Sequence, residues 1–151
     1  YSIRPIARKL WELIGGRVKF LDDTVGKAIE KETFQMEEGD ILILENLRFY
    51  KGEELNSEEF SKQLAQLGDI FVQDGFGVCH RAHASMVGVT KFLPSYPGLL
   101  LEEEIRVLSN ALVSPDRPLV SIIGGAKVST KTRVIERLLD KSNEDDPVAM
   151  T

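Results

Sequence analysis

Lys127 and Lys131 stand four positions apart, directly behind Gly124 and Gly125, in the run Ile122-Ile123-Gly124-Gly125-Ala126-Lys127-Val128-Ser129-Thr130-Lys131. An apolar strand that leads through paired glycines into a helix would expose backbone N–H groups as a nest for anionic oxygens. Residues four apart share a helical face, and two cations in a first helical turn oppose the helix dipole and each other. An anion held between them would relieve that conflict. Read blandly, the same run is an exposed basic turn behind a glycine loop. It is not the Walker phosphate loop, which needs four residues between its first glycine and Gly-Lys-Ser/Thr.

Two arginines follow apolar runs elsewhere in the chain. Arg48 lies in Glu45-Asn46-Leu47-Arg48-Phe49, just past the apolar run at 41–44. By itself it fits a solvated rim ion pair as well as an anion contact. Arg81 lies in Asp74-Gly75-Phe76-Gly77-Val78-Cys79-His80-Arg81-Ala82-His83-Ala84-Ser85, where two glycines permit a tight turn or a close approach to a ligand. Cys79, His80 and His83 bunch closely enough to suggest a metal. A structural zinc site needs four ligands, however, and no second Cys/His cluster is present. A planar guanidinium that can pair bidentately with phosphate accounts better for Arg81.

These residues need a scaffold, and the hydrophobic pattern supplies one. Short apolar runs at 17–20, 41–44, 70–72 and 119–123 alternate with segments of helical period, the sequence form of an α/β fold with a parallel sheet. Ile3, Ile6, Leu10 and Leu13 repeat at helical spacing, as do Phe60, Leu64 and Leu67 after a cap at Asn56 or Ser57. Runs such as ILIL are expected where helices cover both faces of a sheet. From 97 to 112 a longer helical stripe carries Leu100, Leu101, Ile105, Leu108 and Leu112, with Pro94 and Pro97 before it and Pro115 and Pro118 after it. That punctuation suits a connector between lobes. In an open parallel sheet ligands bind beyond the carboxyl ends of the strands, where Arg48, Arg81 and the glycine loop fall.

Composition narrows the function classes. The 151 residues are 42% hydrophobic and 28% charged, ordinary values for a globular protein. A formal net charge of −5 argues against a general nucleic-acid binder, so an anion site must be built locally. The longest apolar runs are far below the roughly 20 residues of a membrane span. Cys79 is the only cysteine, which suits a reducing cytoplasm. The chain opens on Tyr1 in a helix-like pattern, which predicts further sequence upstream.

The runs ENLRF, DGFGVCHRAHAS and GGAKVSTK, in this order and at these spacings, resemble the phosphoglycerate kinase family. The likeness extends through YSIRPIARKL, VKFLDDTVG, GDILILENLRF and LLDKS, and so covers almost the whole chain. The resemblance implies Rossmann-like parallel-sheet lobes of a two-lobed kinase, present only in part. Residues 1–96 would be part of the substrate-binding lobe, 97–113 the interdomain helix, and 114–151 the start of the nucleotide-binding lobe.

The reaction it implies moves a phosphoryl group between 1,3-bisphosphoglycerate and ADP, giving 3-phosphoglycerate and ATP. By matched position, Arg48 and Arg81 would grip the phosphoglycerate and Lys127 would steady the transferring phosphoryl group. Lys131 would contact nucleotide phosphates, and Gly124, Gly125 and Ala126 would line the nucleotide. Mg2+ would accompany ATP or ADP, held by residues that this chain does not contain. The complete protein would be a cytoplasmic monomer with no nucleic-acid or membrane partner, and the 151 residues alone would be inactive. The chain departs from the family pattern at Thr130, where an acidic residue is usual, and at Val78-Cys79, where Thr-Ala is usual. It also carries Ser142-Asn143-Glu144-Asp145-Asp146-Pro147 where the family runs into an apolar strand. The alternative reading is a truncated product of the same fold that binds anions, or only scaffolds, without catalysis.

Overall fold

In the computed structural model, which describes residues 1–113, 120–123, 136 and 148–150, the chain divides into two units, Tyr1–Gly98 and Leu99–Thr151. In the first unit, Pro5 sits in the opening turn of α1 (Arg4–Ile14), where its missing N–H costs nothing. Gly15 (φ 70°) and Gly16 (φ 74°) then take left-handed conformations that a side chain would resist, turning the chain into β1 (Val18–Phe20). The helix α2 (Lys27–Phe34) carries the chain across to β2 (Ile41–Ile43), which pairs parallel with β1 in the register Val18↔Ile41 and Phe20↔Ile43.

Beyond β2 come a 3-10 turn (Leu47–Phe49), the short α3 (Lys51–Glu54) and α4 (Glu58–Ala65). Ser57 caps α4 by accepting a hydrogen bond from the Phe60 amide, as its residue type predicts. The next strand, β3 (Phe71–Gln73), pairs parallel with β4 (Ser95–Pro97). Between them run a 3-10 turn (Phe76–Val78), a π-helical turn (Ala84–Gly88) and a further 3-10 turn (Val89–Lys91). The second unit contains α5 (Leu99–Val113) and a parallel pair of β5 (Ser121–Ile123) with β6 (Val148–Met150).

The parallel strands expected at 17–20, 41–44, 70–72 and 119–123 are all present, each within a residue or two. Three features depart from the expectation. β4 occupies the Pro94 and Pro97 region that the sequence marks as mere punctuation, and the long helix begins at Leu99 rather than 97. Proline is tolerated there because the ladder to β3 uses the Pro94 carbonyl, which accepts from Phe71 N, and the Gly98 amide, which donates to Gln73 O. β6 follows directly on the acidic run ending at Pro147, so an apolar strand does come after it. Lastly, the strands are not covered on both faces: Ile41 is 37% exposed, Ile70 60% and Val72 55%. The four strands of the first unit form two separate pairs, β1-β2 and β3-β4, so β2 and β3 each have an open edge.

The core of the first unit centres on α4. Phe60 is buried and stacks on Tyr50 at 5.6 Å between ring centroids, while Ser61, Ala84 and Val89 are also buried. Gly88 closes the π-helical turn against α4, and a Cβ there would lie 2.6 Å from Asn56 Oδ1 and 2.9 Å from Ser61 Cβ. Ser61 cannot yield easily, because its hydroxyl donates to Ser57 O. Gly88→Ala is therefore expected to destabilise the fold by about 1–3 kcal/mol, the usual cost of overpacking, as read from denaturant unfolding. An unchanged midpoint would mean that the turn can move off the helix freely.

Candidate functional site

Arg48 and Arg81 follow the carboxyl ends of β2 and β3 in the chain. The Arg48 turn is fixed by its two predecessors. Glu45 is buried, and its carboxylate accepts hydrogen bonds from the Ser2 hydroxyl, from Ile3 N at 2.9 Å and from Asn46 N at 2.7 Å. The Ser2 hydroxyl, chiefly, holds this carboxyl below its ordinary range. Asn46 Oδ1 in turn accepts from Arg48 N at 3.0 Å, and its amide donates to Tyr1 O. Strand end, chain start and arginine turn are thus tied together.

Past the turn, the Tyr50 hydroxyl donates to Asp23 Oδ1, which also accepts from Thr24 N at 2.7 Å. The tyrosine bond, first of all, holds the Asp23 carboxyl below its ordinary range, and the same bond pushes the Tyr50 phenol up. A carboxyl lowered by folding contributes stability above its unfolded pKa and loses it as the pH falls through its folded value. Tyr50→Phe is therefore expected to raise the Asp23 pKa and to lessen the loss of stability in acid. Carboxyl NMR titration checks this, and an unmoved Asp23 midpoint would show that the hydroxyl is not the cause.

Arg81 is presented by the loop between β3 and the π-helical turn. Gly75 N donates to Gln73 Oε1 at 3.0 Å, and Arg81 N donates to Val78 O at 3.0 Å, closing the loop on itself. Two residues on, His83 O accepts from the amides of Met86, Val87 and, at 3.4 Å, Gly88, the last of which makes the turn π-helical. His83 Nδ1 lies 3.5 Å from Glu53 Oε1, on α3. Cys79, by contrast, is exposed, with its thiol directed to Gly75 O. Among the described residues no group of three His, Cys, Asp or Glu side chains gathers at one point, so Cys79, His80 and His83 do not form a metal-binding set.

The partners of the arginines set two of them apart. Arg4 pairs with Asp22, Arg8 with Glu12 and Arg106 with Glu103, and Arg17 donates to Glu38 O. Arg48 and Arg81 are exposed, and neither guanidinium has a carboxylate or hydrogen-bond partner among the described residues. Both border one cavity of about 690 Å3, together with His83, Glu53 and, on its apolar wall, Leu42, Leu44 and Phe71. In a chain of net charge −5, two arginines that border one cavity and have no partner among the described residues are suited to bind an anion.

Comparison with known proteins bears on this arrangement. The family model for phosphoglycerate kinase matches residues 1–148. The chain belongs to the phosphoglycerate kinase family. It is 54% identical over 143 residues to the phosphoglycerate kinase of Borrelia garinii subsp. bavariensis, covering 95% of this chain and 36% of that one. It is 51% identical over 137 residues to that of Dictyoglomus turgidum, covering 91% and 35%. Among solved structures, phosphoglycerate kinase from Pyrococcus horikoshii OT3 is similar with a TM-score of 0.86 at 32% identity, over 99% of this chain and 38% of that one. The enzyme from Coxiella burnetii is similar with a TM-score of 0.80 at 38% identity, over 99% and 36%. The chain therefore spans little more than a third of the length of these family members.

For the phosphoglycerate kinase family, the sequence-predicted residues divide in two. Arg48 and Arg81, 33 positions apart in the chain, come together on one cavity. Gly124, Gly125, Ala126, Lys127 and Lys131 lie outside the described residues, although β5 ends at Ile123, directly before them. Sequence reasoning missed Glu45, Asn46 and Glu53. The first two belong to the ENLRF run and could have been suspected as caps for its turn. Glu53 carries no local signal, because its partners lie about thirty residues further on.

Proposed function

We propose that this chain is part of a phosphoglycerate kinase, moving a phosphoryl group between 1,3-bisphosphoglycerate and ADP to give 3-phosphoglycerate and ATP. The observation that carries the reading is the pair Arg48 and Arg81, without partners among the described residues, on one cavity of a chain from this family. In this reading they neutralise and orient the phosphoglycerate. Lys127 steadies the phosphoryl group in passage, Lys131 holds nucleotide phosphates, and Gly124, Gly125 and Ala126 lie along the nucleotide. Such chemistry asks little of a protein beyond placement and charge neutralisation, which cationic side chains and backbone N–H groups can supply. Mg2+ would arrive with ATP or ADP. The described residues gather no carboxylates that fit it, so none of the roles assigned to these side chains passes through the ion.

The same reading places the protein in the cytoplasm, as a monomer when complete. Its support is the lone Cys79, which suits a reducing compartment, and membership of the phosphoglycerate kinase family. The test is a coupled assay of the complete gene product. ATP formation that requires both 1,3-bisphosphoglycerate and ADP is expected. A folded protein that binds 3-phosphoglycerate but never turns over would favour the non-catalytic, anion-binding alternative, and one that does neither would overturn the assignment.

A further inference from the structure

Glu53 is 3% exposed, and a carboxylate so deeply buried is costly unless its oxygens are fully engaged. Its partners all come from one short stretch of distant chain. Oε2 accepts from Ser85 N at 2.9 Å, Oε1 accepts from Ser85 Oγ at 2.6 Å, and Oε1 also faces His83 Nδ1 at 3.5 Å. That stretch begins two residues after Arg81, where the π-helical turn starts. At its own end, Glu53 is joined to the Arg48 turn by backbone, since Glu53 N donates to Tyr50 O at 3.1 Å and Tyr50 N donates to Leu47 O at 3.0 Å. One buried side chain therefore bridges the two arginine-bearing segments, and no other side-chain bond among the described residues connects 47–54 with 79–88.

We propose that Glu53 is a positioning residue that sets the Arg81 segment against the Arg48 turn, so that the two guanidiniums can grip one phosphoglycerate. This rests on the substrate reading given above. Glu53→Ala would leave the part-buried Ser85 amide without its acceptor, releasing the segment, whereas Glu53→Gln keeps an acceptor for that amide and a second group for the hydroxyl. A purely structural carboxylate would lower stability generally. A positioning one changes a single substrate constant.

The experiment compares the complete gene product with its Glu53→Ala, Glu53→Gln and Ser85→Ala variants by amide hydrogen exchange and steady-state kinetics. In Glu53→Ala, exchange should quicken over 83–88 and not over β1 and β2, and the KM for the phosphoglycerate should rise about tenfold with the nucleotide KM nearly unchanged. Glu53→Gln should restore most of both. Ser85→Ala, which keeps the amide bond, should shift both the same way but less, and it serves if Glu53→Ala does not fold. Exchange unchanged over 83–88 would overturn the bridge whatever the substrate. Faster exchange with an unchanged phosphoglycerate KM overturns the positioning role alone if Arg81→Ala still raises that KM. If Arg81→Ala leaves it unchanged too, the substrate reading falls as well.

Discussion

Lys127→Ala in the complete gene product is expected to lower kcat by about 10²–10³, while the KM of each substrate stays near its original value. The reason lies in what surrounds Lys127 in the chain. β5 ends at Ile123, two glycines follow, and a second lysine stands four positions on. In the helix that the sequence predicts behind these glycines, a cation in the first turn would oppose the dipole unless charge is brought to it, and a phosphoryl group in flight would bring that charge only at the moment of reaction. An interaction made mainly in the transition state appears in kcat. Lys131→Ala is expected to differ, raising the nucleotide KM with little change in kcat, because a lysine on ground-state phosphates contributes nearly uniform binding. Steady-state kinetics of both variants decide the matter. An unchanged kcat for Lys127→Ala would return the run to an exposed basic turn behind a glycine loop.

Arg48→Ala and Arg81→Ala should each raise the phosphoglycerate constant roughly ten- to hundredfold, the loss of one charge-assisted pair of about 1.5–3 kcal/mol. Nucleotide affinity should hardly move. The other described arginines have protein partners, and these two have none among the described residues. Removing a guanidinium that pairs with no group among the described residues strands no described carboxylate, so the stability of the first unit should be nearly unaffected. Titrations of phosphoglycerate and of nucleotide against each variant check it. Equal weakening of both ligands would place the arginines outside the substrate site. The double variant adds a further check, since two groups gripping one ligand are expected to be non-additive.

Most of the local structure was legible in the sequence, because hydrophobic period and caps act over a few residues. The repeat of Ile3, Ile6, Leu10 and Leu13 announced α1, the run at 41–44 announced β2, and Ser57 does cap α4. β4 was not legible, since a strand bracketed by Pro94 and Pro97 reads as a break until β3 is present to take its hydrogen bonds. The eight-residue α2, opening after Gly26, was likewise too short to stand out.

For the site, residue type and position after a strand were enough to single out Arg48 and Arg81, because ligands of a parallel sheet bind beyond the carboxyl ends of its strands. What sequence could not supply was their relation. That Arg48 and Arg81 border one cavity, and that neither is taken up by a carboxylate among the described residues, depends on contacts across 33 positions of chain, which no local pattern encodes. Glu53 is the sharpest case. By itself it is one acid among many on a short charged helix. Only folding buries it and sets Ser85 and His83 against its oxygens, since burial and pairing are properties of the packed chain.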